Sequence, residues 1–234
     1  MYTPFFNFEQ PTLISSTKYY QLYQCKYDSH YFHSDLFKQL SIICPPNINK
    51  SVKTRQAEYL AGRFVAHFAL NLLGFPTTGI SSGADREPLW PDRVLGSITH
   101  TSNKALCAVA TRAESQWLGI DMAQWIDTEV SQEIAHLIIT TDEIKLFREL
   151  SWSKNHALTF AFSAKESLFK ALFPIVKRYF DFSAAILERV CIENGTFRIR
   201  LTESLTNELT NGFIFEGIFY LKENEIVTII AKPF

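Results

Sequence analysis

The run Phe162-Ser163-Ala164-Lys165-Glu166-Ser167-Leu168-Phe169-Lys170-Ala171 sets an acid and two bases inside an apolar frame. It reads as part of a long helix from about Lys154 to Phe173 that stops before Pro174. Glu166 and Lys170 are four apart and share one helical face. Lys165 is rotated from Glu166 by about 100° and borders that face. Phe162, Leu168, Phe169, Ala171 and Leu172 bury the sides. A carboxylate between ammonium groups suits a metal-bound phosphate. The carboxylate takes a hard cation such as magnesium, and the lysines neutralise phosphate oxygens. A solvated Lys-Glu-Lys face with one i,i+4 pair fits the same residues.

Three other segments carry chemistry. Trp117 to Met122 is a short apolar strand ending on Asp121, where a lone charge is costly unless paired or metal-bound. Ala105 to Ala110 is also strand-like, and Thr111 to Gln116 between them reads as a hairpin turn. Asp85-Arg86-Glu87-Pro88-Leu89-Trp90-Pro91 is a stiff loop in which Arg86 offers a planar fork to phosphate or carboxylate. In the following strand, Leu95 to Thr101, the residues Ser97, Thr99 and Thr101 share one face, and Ile98 and His100 the other. Finally, Arg55-Gln56-Ala57-Glu58-Tyr59-Leu60-Ala61-Gly62-Arg63 opens an apolar helix to about Leu73, with Arg55, Tyr59 and Arg63 on one line. There Glu58 is the ordinary ion-pair partner.

The wider pattern predicts two lobes, residues 1–115 and 116–234. The first has a strand at Lys18–Lys26, the helix at Val52–Leu73 and the two strands described. The second has helices at Ser131–Ile138 and from Thr141 to about Leu150, the long helix, and strands at Ser183–Ile192, Thr196–Leu201, Gly212–Leu221 and Ile226–Ala231. Asn194-Gly195 and Glu223-Asn224-Glu225 supply the turns.

Composition narrows the function classes. Lys plus Arg number 23 and Asp plus Glu 24, a net charge of -1, so there is no basic excess for nucleic acid. Hydrophobic residues make up 47%, which excludes a disordered chain. The four cysteines are widely spaced, with no zinc or disulfide framework, and fit free thiols in a reducing compartment. Met1 to Ser16 lacks the pattern of a secretory signal, and no stretch reaches the length of a membrane span. A cytoplasmic protein is expected.

In order, R-Q-A-E-Y-L-A-G-R, D-R-E-P-L-W-P, G-S-I-T-H-T, G-I-D and F-S-A-K-E-S-L-F-K-A resemble the motifs of the 4′-phosphopantetheinyl transferases of the Sfp superfamily, in the branch of the enterobactin-synthase component D proteins. The resemblance implies an α/β fold of the α+β type: a pseudo-twofold pair of similar lobes, each a mainly antiparallel sheet packed with helices, with the active site between them. It implies transfer of the phosphopantetheine arm of coenzyme A to a serine of an apo acyl or peptidyl carrier protein, with release of 3′,5′-ADP. It implies that Asp121 and Glu166 bind magnesium, and that Lys165, Lys170 and His100 contact phosphates. Arg55, Arg63, Arg86 and Glu87 would serve the nucleotide end of coenzyme A, with Ser97 and Thr99 lining the site. Glu166, Lys170, Asp121 and His100 are the expected catalytic set. Nonribosomal siderophore, polyketide and fatty-acid carriers all fit, and a monomer is expected.

The family pattern places a second acid two residues after the aspartate of G-I-D. Here that position is Ala123, which cannot bind a metal, so water would take its place. A non-catalytic member that binds coenzyme A or a carrier is the alternative this departure favours. A different magnesium-dependent enzyme acting on a nucleotide diphosphate is a second. The apolar residues Phe169, Leu172, Phe173, Ile175, Val176 and Phe180, interleaved with Lys177 and Arg178, suit either a carrier-binding surface or plain core.

Overall fold

The computed structural model describes residues 3–76 and 79–233. In chain order the strands and α-helices are β1 (Thr12–Ser16), β2 (Gln21–Lys26), α1 (Asp35–Gln39), α2 (Pro46–Asn49), α3 (Lys53–Leu72), β3 (Val94–His100), β4 (Lys104–Thr111) and β5 (Ser115–Gln124). There follow α4 (Thr128–Ile138), α5 (Thr141–Glu149), α6 (Lys154–Val176), β6 (Ala185–Cys191), β7 (Thr196–Leu201), β8 (Ile214–Leu221) and β9 (Glu225–Pro233). The chain divides into two compact units, one reaching Leu118 and the other running from Gly119 to Lys232.

The first unit is a four-stranded antiparallel sheet, ordered β1-β2-β4-β3, crossed by α3. Ala57, Leu60, Ala61, Val65, Ala66, Ala69 and Leu70 recur at helical spacing and are fully buried against that sheet. Small residues let the helix approach closely. A Cβ on Gly62 would stand 3.0 Å from Ile98 Cγ2 of β3. Phe5, Phe6, Tyr27 and Phe32 extend the same core.

The second unit has a five-stranded sheet, ordered β5-β9-β8-β7-β6, whose β6–β7, β7–β8 and β8–β9 ladders are antiparallel. Helix α6 packs on it through Phe160, whose ring meets Phe197 at 5.5 Å and Phe219 at 5.0 Å. Ser163 and Thr228 join α6 to β9 through hydroxyls 2.9 Å apart, so neither polar group is buried unpaired. The tightest approach lies at Gly119 of β5, where a Cβ would fall 2.0 Å from the Ser167 carbonyl oxygen and 2.5 Å from the Ala171 nitrogen.

The expected α+β architecture with antiparallel sheets is the one observed. Two local expectations differ, and one strand has no counterpart in the sequence pattern. Thr111 to Gln116 does turn the chain, with the Glu114 amide donating to Thr111 O at 3.0 Å. The strands it joins are no hairpin, however, because β4 and β5 belong to different sheets. Helix α6 does not stop before Pro174 but continues to Val176. Only the final turn lies beyond the proline, so one missing amide bond and a local clash are tolerated there. The helix ends at Lys177, which is left-handed (φ 51°) and donates its amide to Phe173 O. Strand β1 was not foreseen. It is a bulged edge strand, mostly exposed, so it lacks the in-out alternation that betrays a strand.

Because backbone meets backbone at Gly119, no flexible side chain can yield. Gly119→Ala is expected to cost about 3 kcal/mol, the upper end for an overpacked site, and to lower the melting temperature by roughly 6–12 °C. A melting curve unchanged from wild type would disprove the close approach.

Candidate active site

The second unit gathers an acid, a base and a second acid. Asp121, on β5, is buried, with 5% of its surface exposed. Lys170, on α6, donates from Nζ to Asp121 Oδ1 at 2.6 Å. Glu166 lies one helical turn before Lys170 and is partly buried. Its carboxyl is pushed up from the ordinary range, first by desolvation and also by the nearby Asp121 charge, while Lys170 pulls it down. Two carboxylates and one ammonium therefore form one electrostatic group. The glycine contact explains why they meet: with no side chain at Gly119, β5 lies against α6 at Ser167 and Ala171, level with Lys170.

Lys165 has another fate. Its ammonium is buried and donates to Ile138 O at 2.7 Å and to Glu143 Oε2 at 3.1 Å. Glu143 is fully buried as well, accepts the amides of Leu187 at 2.9 Å and Thr140 at 2.8 Å, and so ties α5 to β6 and α6. Burial lowers the proton affinity of Lys165, and the Glu143 charge opposes that shift. The structure thus brings Lys170 to the acid pair, while Lys165 is held by Glu143. In the sequence Glu143 is only a residue at the start of the helix from Thr141; that it closes a buried ion pair depends on the fold of β6.

The first unit holds the other expected residues. Arg55 Nη1 donates to Glu58 Oε2 at 3.1 Å and to His100 Nε2 at 2.8 Å. Arg63 is buried on α3, stacked over the Tyr59 ring at 4.7 Å, and donates to the Tyr59 hydroxyl and to Ser82 Oγ at 3.0 Å. Tyr59 meets Arg63 as their shared helical line implies, and Ser82 is a partner that residue type alone does not single out. Ser97 and Thr99 are buried on the face of β3 opposite His100 and Ile98. The 85–91 loop folds on itself. The Glu87 carboxylate accepts the Asp85 amide at 3.0 Å and sits over Gly83, where a Cβ would clash with it. Arg86 is exposed and left-handed (φ 68°), a conformation non-glycine residues seldom adopt.

Beside Glu166 opens a groove lined by Leu168, Phe169, Tyr179, Phe180 and Phe182. Phe169 stacks on Tyr179 at 5.5 Å and lies 5.1 Å from the Phe180 ring. Of the apolar residues expected on a carrier surface, Leu172 and Phe173 are core, whereas Ile175 is exposed.

Two family models match this chain. The 4′-phosphopantetheinyl transferase N-terminal domain covers residues 45–110, and the 4′-phosphopantetheinyl transferase superfamily covers residues 118–215, which include Asp121, Glu166 and Lys170. The chain belongs to the 4′-phosphopantetheinyl transferase superfamily. It is 35% identical over 143 residues to enterobactin synthase component D of Salmonella typhimurium, a match covering 60% of this chain and 59% of that protein. It is 32% identical to the 4′-phosphopantetheinyl transferase PptT of Mycobacterium tuberculosis over 60% of this chain and 61% of the relative. It is 29% identical to the 4′-phosphopantetheinyl transferase Npt of Nocardia iowensis over 79% of this chain and 85% of the relative. The match to the Salmonella protein therefore spans under two thirds of that protein's length. Likeness to the component D proteins puts the chain in their branch of the transferase superfamily.

The donor chemistry of Asp121 and Glu166 would suit a hard divalent cation. Asp121 and Glu166 offer hard oxygen donors, and magnesium is commonly held by one or two carboxylates plus waters and phosphates. Among the described residues no group of three or more His, Cys, Asp or Glu side chains could hold a metal. Ala123, two residues after Asp121, lies on the same face of β5.

The raised proton affinity of Glu166 gives a prediction that needs no metal. A carboxyl raised in the folded state stabilises the fold below its unfolded value, and that stabilisation is lost as pH rises through the folded value. In the presence of a chelator, Glu166→Gln should melt above wild type at pH 8. The gap should close as pH falls below the raised Glu166 value. A gap that widens on acidification would contradict the shift.

Proposed function

We propose that this transferase-family chain moves the 4′-phosphopantetheine arm of coenzyme A onto a serine of an apo acyl or peptidyl carrier protein and releases 3′,5′-ADP. The observation that carries the reading is the Asp121–Lys170–Glu166 group, set on the segment that the superfamily model covers. The serine oxygen attacks the β-phosphorus of coenzyme A. The phosphoanhydride bond to the α-phosphate breaks, and the electrons leave with 3′,5′-ADP. Glu166, whose burial favours its protonated form, accepts the serine proton. Lys170 offsets negative charge gathering on the diphosphate. Asp121 holds Lys170 in line and, with Glu166, would hold magnesium. Bound there, magnesium would supply charge neutralisation at the diphosphate.

Arg55, Arg63 and His100 take the phosphate-bearing nucleotide end in this reading, with Arg86 and Glu87 from the loop and Ser97 and Thr99 from β3. The groove beside Glu166 offers aromatic walls of the kind an amide-rich thiol arm packs against. Ile175, Tyr179, Lys177 and Arg178 lie exposed around the end of α6 and would form an apolar and basic rim toward an acidic carrier. No described helix is long and apolar enough to cross a membrane. A cytoplasmic monomer serving siderophore-type peptide synthesis is the corresponding cellular role.

The test is direct. The chain is incubated with coenzyme A, magnesium and an apo-peptidyl carrier, and the carrier is weighed by mass spectrometry. A gain of about 340 Da, the mass of a phosphopantetheine diester on serine, is expected. Folded Glu166→Gln should give none. A carrier that stays unmodified with wild type, or is modified at the normal rate by Glu166→Gln, would overturn the reading or the role of Glu166 respectively.

A further inference from the structure

The groove beside Glu166 is lined by a second acid, Asp181, to which the transfer described above gives no part. Asp181 stands immediately before a 3-10 turn at Phe182–Ala184, a place where an aspartate often caps the chain, yet its side chain makes no capping hydrogen bond. Among the described residues its carboxylate has no hydrogen-bond or ion-pair partner, and the residue is exposed.

The segment that carries it is nevertheless fixed. The Ala184 amide donates to Asp181 O at 3.0 Å. Thr202, just after β7, donates its hydroxyl to Ser183 O and its amide to Ala184 O at 2.9 Å. The Phe182 ring lies 5.7 Å from that of Phe162 on α6. Asp181 is therefore held at the groove by neighbours that do not use its side chain.

Other polar groups of the groove are already engaged. Lys165 Nζ donates to Ile138 O and to Glu143. Glu166 belongs to the group with Asp121 and Lys170. The Asp181 and Phe182 carbonyls accept the amides of Ala184 and Ala185. Among the residues lining the groove, Asp181 is thus the one carboxylate that neither the fold nor the proposed chemistry uses.

A ligand suited to such a groove has an apolar body for the rings and a hydrogen-bond donor for the carboxylate. The phosphopantetheine arm has both: methyl and methylene groups, and two amide N–H groups of fixed direction. An amide N–H pressed against aromatic walls loses its water, at a cost unless an acceptor replaces it. The same walls keep water from a bond to Asp181 and so strengthen it. The hydroxyl of the arm can rotate toward solvent and has less need of a protein partner.

We propose that Asp181 is a specificity-determining residue whose carboxylate accepts a hydrogen bond from one amide N–H of the arm. This rests on the reading that the arm of coenzyme A lies in the groove.

The experiment is steady-state transfer by the full chain to an apo-peptidyl carrier, with coenzyme A and with two analogues in which an ester oxygen replaces one or the other amide N–H of the arm. Wild type should use one of the two analogues roughly tenfold less efficiently than coenzyme A in kcat/KM, the worth of one charge-assisted contact. Asp181→Ala should lose about the same factor with coenzyme A and show no further loss with that analogue, because the bond is already gone. Asp181→Asn keeps an acceptor oxygen and should recover part of the loss. Inhibition by 3′,5′-ADP, which has no arm, should be equal in all three proteins, which a merely structural role would not ensure. Melting curves establish that each variant is folded. Wild type that uses both analogues as well as coenzyme A overturns the proposal and leaves the coenzyme A reading intact, whether or not the variants fold. Asp181→Ala with the same analogue penalties as wild type also overturns it. Failure of folded wild type to load the carrier from coenzyme A overturns both readings together.

Discussion

The contact between Gly119 and the backbone of α6 is the constraint on which the rest of the candidate site depends. A strand and a helix ordinarily stand apart by the thickness of their side chains. At Gly119 that thickness is removed, and the Ser167 carbonyl and Ala171 nitrogen occupy the space a Cβ would need. Two residues further along β5, Asp121 meets the Lys170 ammonium that α6 presents at the same level. Any larger residue at position 119 would push the strand away from the helix and lengthen the Asp121–Lys170 bond with it.

That geometry is costly, because it buries charge, and the second unit meets the cost by pairing. Successive polar residues of α6 are used differently. Lys165 faces Glu143 in a dry setting, where both partners have their hydrogen bonds filled, and the pair locks α5, α6 and β6 into one body. Glu166, one step around the helix, faces a groove and the Asp121 charge, and is left with a raised affinity for a proton. Lys170, one turn on, balances Asp121. A rigid ion pair on one side of the helix and a reactive, incompletely neutralised acid on the other follow from the single Lys-Glu dipeptide. Removing Glu143 would leave Lys165 buried without its counter-charge, a change known to be far more damaging than never having had the pair.

Much of this was legible in the sequence. The order of the five motifs carries the resemblance that implies the α+β class and the transferase family. What the sequence hid was long-range. Lys165 and Glu166 are adjacent and of opposite charge, and nothing local says that one of them belongs to Glu143, 22 residues away. The resemblance sets Arg63 at the nucleotide end of coenzyme A, while its hydrogen-bond partner Ser82 comes from a loop 19 residues away. Pro174 is expected to end the helix, but it falls in the last turn, where a proline costs little. The edge strand β1 carries no alternation because almost none of it is buried.

The central claim is that Asp121, Lys170 and Glu166 act as one electrostatic group in which Glu166 is held toward its protonated form. Carbon-13 NMR of glutamate side-chain carboxyls reads this in the metal-free chain. Comparison with Glu166→Gln identifies the one resonance that belongs to Glu166, and its chemical shift is followed against pH. The account predicts that this resonance titrates above the ordinary glutamate value of about 4.3, and that it moves further up when Lys170→Met removes the ammonium that pulls it down. A Glu166 signal that titrates at or below the ordinary value, and does not respond to Lys170→Met, would contradict the account.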